Sequence, residues 1–102
     1  MRIVLIGPMG SGKSSIGKIL AKKIDFKFID TDKLIEIQEG IKIKEIFNSK
    51  GESYFRDLEV KILEETLTSK SAVISTGGGI VQREKNRLLL ENEKNVFFLN
   101  SS

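Results

Sequence analysis

The chain has 102 residues, of which 39% are hydrophobic and 30% charged, a composition typical of one small soluble globular domain. Its net charge of +3, from 17 basic and 14 acidic residues interspersed along the chain, suits an anionic small ligand and gives only weak support for nucleic-acid binding. The sequence contains neither cysteine nor histidine, which excludes disulfides, thiolate chemistry, a histidine base and histidine-rich metal sites.

Short apolar strands alternate with amphipathic helices along the chain. Nearly continuous apolar runs predict buried strands at residues 3–6, 26–30, 72–75 and 96–99. Apolar residues at helical spacing predict a helix that begins near Lys13, one that ends at Gly40, a short one that ends near Gly51, and helices over 52–67 and 82–92. Strands separated by helices indicate an α/β domain with a parallel sheet and right-handed crossovers.

The loop after the first strand, GPMGSGKS at residues 7–14, matches the phosphate-loop pattern G-x-x-x-x-G-K-[ST] at every fixed position. Its glycines let backbone N–H groups turn inward around an anion, and the start of the following helix adds a positive end. Lys13 can reach the β- and γ-phosphates of a nucleotide, and the Ser14 hydroxyl can bind Mg²⁺. The loop therefore predicts a nucleoside triphosphate site, with a flexible turn as the alternative.

The stretch FIDTD places Asp30 and Asp32 at the carboxyl end of the second strand, the edge where open α/β sheets bind ligands. One carboxylate can orient hydrated Mg²⁺ while the other binds and polarises a substrate hydroxyl. The alternative is that Thr31 or Asp32 only caps the following helix.

Two further stretches are candidates for a site. The sequence TGGG, at residues 76–79 after the third strand, would allow a ligand to approach the backbone closely, although a loose connection would also use glycine. Seven of the nine glycines lie at positions 7, 10, 12, 17 and 77–79, and this clustering favours a site. Arg56 follows Phe55 at the edge of an apolar helix face, from which it could pair with a carboxylate; a surface salt bridge is the alternative.

In combination, these motifs resemble the shikimate kinase family. The loop GPMGSGKSS is followed in order, and at similar spacing, by DTD, FR and TGGG, so that the resemblance covers essentially the whole chain. It implies a P-loop, nucleoside-monophosphate-kinase-like fold of three αβα layers, with the parallel strands in the order 2-3-1-4. The activity implied is the ATP-dependent phosphorylation of the shikimate 3-hydroxyl, giving shikimate 3-phosphate and ADP on the route to chorismate and the aromatic amino acids.

The resemblance also implies roles for individual residues. Those that would hold the ATP phosphates are Gly10, Ser11, Gly12, Lys13, Ser14 and Ser15. Mg²⁺ would bind Ser14 and be supported by Asp30. Those that would bind shikimate are Asp32, Arg56, Gly77, Gly78 and Gly79. Within these sets, Lys13 and Asp32 would be catalytic, because Asp32 would orient the attacking hydroxyl.

Members of this family continue beyond the motifs found here, with a lid that carries an arginine, another strand, further helices and a second carboxylate-binding arginine. We therefore expect residues 1–102 to be one P-loop kinase domain truncated before the lid, without the C-terminal strand and helices, and with little activity alone. The full-length enzyme is expected to be a cytoplasmic monomer that acts on a small molecule and engages neither nucleic acid nor a membrane. The alternatives are another small-metabolite or nucleotide kinase, and a nucleotide-binding module without catalysis.

Overall fold

Four parallel strands form one sheet in the order β2-β3-β1-β4 in the computed structural model, which describes residues 1–100. The strands are β1 (Arg2–Ile6), β2 (Lys27–Asp30), β3 (Ala72–Ser75) and β4 (Val96–Phe98). The predicted strand order is confirmed. Strand β1 lies between β3 and β4, so both of its edges are hydrogen-bonded.

Five helices connect the strands. They are α1 (Lys13–Ile24), α2 (Thr31–Glu39), α3 (Ile43–Lys50), α4 (Glu52–Thr66) and α5 (Glu84–Glu91). All five correspond to predicted helices, with ends that differ by one or two residues where both ends were predicted. The predicted helix end at Gly40 is confirmed. This residue has φ 75°, a left-handed conformation that glycine adopts without strain, and its N–H donates to the Glu36 carbonyl oxygen at 2.8 Å.

Alternation along the strands produces the three predicted layers. Ile3, Leu5 and Val73 form an apolar cluster with Ala21 of α1 on one face of the sheet. The opposite face packs against α4 and α5 through a second cluster, made of Val4, Leu63, Ala72, Ile74, Ile80 and Leu90. Because successive strand residues point to opposite faces, the apolar runs of β1 and β3 pack on both faces at once. The prediction that residues 96–99 form a buried strand is wrong in its burial: β4 lies at the edge of the sheet, and its Phe97 and Phe98 are 52% and 64% exposed.

A third apolar cluster lies between α2, α3 and α4 and includes Ile35, Ile46, Phe55 and Ile62. Helix α4 therefore contributes to two cores, since its Leu63 packs against the sheet. Among the helices of residues 1–100, none combines the length and the apolar character needed to cross a membrane.

Candidate active site

The phosphate loop joins β1 to α1. Gly10 and Gly12 have φ of 82° and 86°, in the left-handed region, and Gly12 is the N-cap of α1. These are positions where a side chain would strain the backbone, which explains why glycine is needed in the loop. The loop therefore ends at the N-terminus of α1, as an anion-binding loop requires.

Lys13 is buried, with 7% of its surface exposed, and its ammonium group lies over the loop. Nζ donates to the carbonyl oxygens of Gly7 at 2.6 Å and Pro8 at 2.9 Å, and to Ser11 Oγ at 3.3 Å. Burial lowers the pKa of the Lys13 ammonium, while the nearby carboxylates of Asp32 and Asp30 oppose that shift. The cation is thus held where the phosphates of a ligand would lie in such a loop.

The two oxygens of Asp30 have separate partners. Oδ2 accepts a hydrogen bond from Ser14 Oγ at 3.0 Å, while Oδ1 accepts from the N–H groups of Asp32 and Lys33 at 3.1 and 3.3 Å. Asp30 is therefore the N-cap of α2, and the alternative that Thr31 or Asp32 caps this helix is wrong. A hydroxyl and a carboxylate beside an anion-binding loop are oxygen ligands of the kind that Mg²⁺ prefers.

The Asp32 side chain, unlike that of Asp30, does not cap the helix. Its side chain is half-buried, and Oδ1 has no hydrogen-bond partner within residues 1–100. Burial, and after it the nearby carboxylates of Glu59, Asp30 and Glu36, raises the pKa of the Asp32 carboxyl to about 6, against the opposing effect of Lys13. A buried acceptor without a donor is costly unless a ligand satisfies it.

The TGGG stretch is an ordered part of the site. Thr76 Oγ1 donates to the Leu5 carbonyl oxygen at 2.8 Å, and the Ile80 N–H donates to the Gly77 carbonyl oxygen at 3.2 Å. A Cβ atom at Gly77 would lie 2.5 Å from Asp32 Oδ1, and one at Gly79 would overlap the Arg56 guanidinium. The glycines therefore make room for two side chains of the site, and the alternative of a loose connection is wrong.

Gly17, which belongs to the same group of glycines in the sequence, has a different purpose. A Cβ atom there would lie 2.7 Å from the Phe28 ring and 3.3 Å from Leu5 Cδ1. This glycine therefore lets α1 approach the sheet closely, and its place in the group reflects helix packing rather than ligand contact.

Arg56 lies at the wall of a cleft, and its side chain is only 13% exposed. Nη1 donates to Glu59 Oε1 at 2.7 Å and Nε to Glu52 Oε2 at 3.3 Å. The guanidinium carbon lies 5.8 Å and 5.3 Å from the ring centroids of Phe47 and Phe55. The alternative of a surface salt bridge is therefore right about the pairing and wrong about its place, because Arg56 pairs with the buried Glu59 at the wall of the cleft.

Glu59 was missed by the sequence analysis. It is 1% exposed, and burial raises the pKa of its carboxyl while the Arg56 guanidinium opposes that shift. The available signal was its position three residues after Arg56, on the helix face that also carries the apolar residues. An acidic residue in that place needs a cation beside it, and Arg56 supplies one.

Two adjoining clefts bring all the predicted site residues together. The first, of about 410 Å³, is lined by the phosphate loop from Gly10 to Ser15 and by Asp30. The second, of about 440 Å³, is lined by Arg56, Glu59 and Gly79. The residues that line both clefts are Met9, Asp32, Ile43, Gly77 and Gly78. We call these the phosphate cleft and the carboxylate cleft.

Comparison with known proteins identifies the family. A family model described as shikimate kinase matches residues 9–102. The chain belongs to the shikimate kinase family. It is 52% identical over 100 residues to the shikimate kinase of Sulfurihydrogenibium sp., covering 98% of this chain and 60% of that relative. The shikimate kinase of Persephonella marina is 50% identical over 99 residues, with coverage of 97% and 60%. The chain thus spans about 60% of the length of these curated relatives.

Solved structures agree with this assignment. The shikimate kinase of Acinetobacter baumannii, solved in complex with shikimate, superimposes with a TM-score of 0.96 at 38% identity, covering 99% of this chain and 56% of that one. A gluconokinase from Sinorhizobium meliloti reaches a TM-score of 0.53 at 24% identity, covering 97% and 55% of the two chains. The gluconokinase shares the fold, but its geometry is much more distant.

Proposed function

We propose that the protein takes part in shikimate kinase catalysis, transferring the γ-phosphoryl group of ATP to the shikimate 3-hydroxyl and giving shikimate 3-phosphate and ADP. In this proposal, residues 1–102 belong to a single kinase domain and supply the loop that holds ATP and most of the surface that holds shikimate. The observation that carries the proposal is that the phosphate cleft and the carboxylate cleft share Asp32. A shikimate hydroxyl bound by Asp32 would lie where the two clefts meet, facing the phosphates of the nucleotide.

On the nucleotide side, the backbone N–H groups of the loop and the Lys13 ammonium would hold the phosphates. Ser14 would bind Mg²⁺ and Asp30 would support it, since their oxygens lie 3.0 Å apart at the edge of the phosphate cleft. When bound, Mg²⁺ neutralises negative charge on the β- and γ-phosphates. Lys13 adds a second, fixed positive charge from the protein.

On the acceptor side, shikimate carries one carboxylate and neighbouring hydroxyl groups. The Arg56 guanidinium complements the carboxylate, and its pairing with buried Glu59 fixes its orientation. Asp32 Oδ1, which lacks a partner within residues 1–100, would accept a hydrogen bond from the attacking hydroxyl. Gly77, Gly78 and Gly79 would bring backbone N–H groups close to the ring. Catalysis would come chiefly from positioning and charge neutralisation.

The structure of the Acinetobacter baumannii relative bound to shikimate supports the choice of acceptor. We further propose, from the family resemblance, that the full-length protein is a cytoplasmic, monomeric enzyme of small-molecule metabolism. A direct test is calorimetric titration with shikimate, gluconate and AMP, each with and without ADP and Mg²⁺. We expect shikimate to bind at least about tenfold more tightly than the other two, since only shikimate matches both Arg56 and Asp32.

Equal or tighter binding of gluconate or AMP would contradict the proposal in favour of another kinase. Binding of ADP with no acceptor binding would instead favour a nucleotide-binding module.

The charge state of Asp32 gives a pH prediction. As the pH falls from 7.5 to 5, protonation of a carboxyl with a pKa of about 6 removes the acceptor charge from most molecules. We expect shikimate affinity to fall about fivefold to tenfold over this range. Asp32→Asn keeps the shape and is expected to bind shikimate weakly and with little pH dependence. Calorimetry at several pH values measures the shikimate affinity of the wild type and of Asp32→Asn. A wild-type affinity that does not change between pH 7.5 and pH 5 would contradict the assignment.

The same shift links Asp32 to stability. The folded-state pKa of Asp32, about 6, lies above the ordinary value of 3.8. The favourable contribution of Asp32 to the free energy of unfolding is therefore fully present below pH 3.8 and is lost as the pH rises through about 6. At neutral pH, Asp32→Asn is therefore expected to stabilise the fold by about 1–2 kcal/mol, a figure reduced for partial solvent screening. Urea unfolding of the two proteins at pH 5 and pH 7.5 measures this difference.

A further inference from the structure

The backbone between TGGG and α5 is held by Arg87, an exposed residue of that helix. Its Nη1 donates to the carbonyl oxygens of Val81 at 2.6 Å and Gln82 at 3.1 Å. No carboxylate of residues 1–100 pairs with this guanidinium. The side chain reaches back to the N-terminus of α5, where the positive end of the helix dipole disfavours a cation. Helix stability therefore does not explain an arginine at this position, whereas its two contacts with the preceding backbone do.

Hydrogen bonds connect this arginine to the glycines through three peptide units, which join residues 81–82, 79–80 and 77–78. The guanidinium donates to the carbonyl oxygen of the 81–82 unit at 2.6 Å. The N–H of that unit donates to the carbonyl oxygen of the 79–80 unit at 3.0 Å. The N–H of the 79–80 unit donates in turn to the carbonyl oxygen of the 77–78 unit at 3.2 Å. A single series of hydrogen bonds thus runs from Arg87 to the N–H of Gly78.

The Gly78 N–H is the open end of this series. It donates to no group of residues 1–100, and Gly78 lines both the phosphate cleft and the carboxylate cleft. In a trans peptide the N–H and the carbonyl point in opposite directions, so this donor points away from the turn that follows it. The Gly78 backbone also lies against the phosphate loop, since a Cβ atom there would be 3.1 Å from the Met9 nitrogen. An unused backbone donor is therefore placed where the two clefts meet.

We propose that Arg87 is a positioning residue that fixes and polarises the Gly78 N–H for an oxygen of the acceptor substrate, an inference that rests on the proposed function. Hydrogen bonds in series polarise one another, and the guanidinium adds a full positive charge at one end. The Gly78 N–H is therefore a stronger donor than an N–H outside such a series. The two carbonyl contacts of Arg87 also hold the turn in place before the substrate arrives, which lowers the cost of ordering it on binding.

The first test uses the protein without ligand. Amide proton chemical shifts, measured by NMR, report how strongly each N–H of the series is polarised. We expect Arg87→Ala to move the three amide protons of the series upfield, with the largest change at Gln82 and the smallest at Gly78. Arg87→Lys keeps a charged donor and is expected to keep these shifts close to those of the wild type. Unchanged shifts along the series in Arg87→Ala, or changes confined to the amides of α5, would overturn the inference.

The second test is calorimetric titration with shikimate and, separately, with ADP and Mg²⁺. We expect Arg87→Ala to bind shikimate about fivefold more weakly, as for one weakened hydrogen bond, and to bind ADP like the wild type. Arg87→Lys is expected to restore shikimate affinity to within about twofold. Lys85→Ala is the matched control, because it removes a cation of α5 that pairs with Glu64 at 3.5 Å and lines neither cleft. It should leave both affinities unchanged.

The outcomes separate this inference from the proposed function. A wild type that does not bind shikimate would overturn the proposed function and, with it, the acceptor contact of the Gly78 N–H. A wild type that binds shikimate, with the same affinity in Arg87→Ala, would overturn the inference alone. Equal losses of shikimate and ADP affinity in Arg87→Ala would also overturn it, because Arg87 would then support the whole site rather than one donor.

Discussion

Lys13→Met is expected to lower the affinity for ATP with Mg²⁺ by at least about 100-fold, the loss typical of removing a buried charge-assisted contact to phosphate. The ammonium is 7% exposed and held over the loop by the Gly7 and Pro8 carbonyl oxygens. Methionine has a similar length but no charge, so the phosphates would lose a fixed cation in a partly desolvated place. Calorimetry with a non-hydrolysable ATP analogue measures the effect.

A matched control separates charge at the site from charge in general. Lys22→Met changes an exposed lysine on the same helix and removes the same charge from the protein. We expect its ATP affinity to stay within about twofold of the wild type, since exposed charges are largely screened by salt. Melting curves check that both variants still fold. Equal affinities in the two variants would contradict the role given to Lys13.

The second large effect is expected at Arg56. Arg56→Ala removes the cation of the carboxylate cleft, and we expect shikimate affinity to fall about 100-fold while ADP affinity stays unchanged. Arg56→Lys is expected to recover only part of the loss, because lysine keeps the charge without the planar two-donor geometry. Arg83→Ala is the control: this arginine lies on the protein surface and pairs with Asp57 at 2.9 Å.

The variant Arg56→Ala has a cost in stability that must be separated from ligand binding. It leaves Glu59, which is 1% exposed, without its cation, and breaking such a pair typically costs about 3–5 kcal/mol. The double variant Arg56→Ala with Glu59→Ala removes the unpaired charge. We expect it to regain part of the stability and none of the shikimate affinity. If affinity returned with stability, Arg56 would be a structural residue.

Much of the fold could be predicted because its signals are local. The buried strands β1 and β3 are continuous apolar runs, whereas the similar run of β4 lies exposed at the sheet edge. Helices α2 and α3 end at Gly40 and Gly51, whose φ of 75° and 91° other residues rarely adopt. The strand order could not be derived from periodicity, which says nothing about which strands are neighbours. It came from the resemblance to the family and is confirmed.

The site was predicted as a set of residues but not as a network. DTD could be recognised as functional, yet only the geometry shows that Asp30 caps α2 and leaves Asp32 without a partner. The glycines of TGGG were expected to admit a ligand, whereas two of them make room for Asp32 and Arg56. Both are contacts between residues far apart in the chain, and no local pattern encodes them.

The central place of β1 sets the order in which the protein can fold during its synthesis. The first strand of the chain pairs with β3 and β4, whose residues lie about 70 and 90 positions later, such as Val73 beside Ile3 and Val96 beside Val4. Closing such long loops has an entropic cost and makes folding slow. The phosphate loop follows the end of β1, so its supporting sheet stays incomplete until β4 has left the ribosome. Until then at least one edge of β1, an apolar strand, stays unpaired and open to association with other chains.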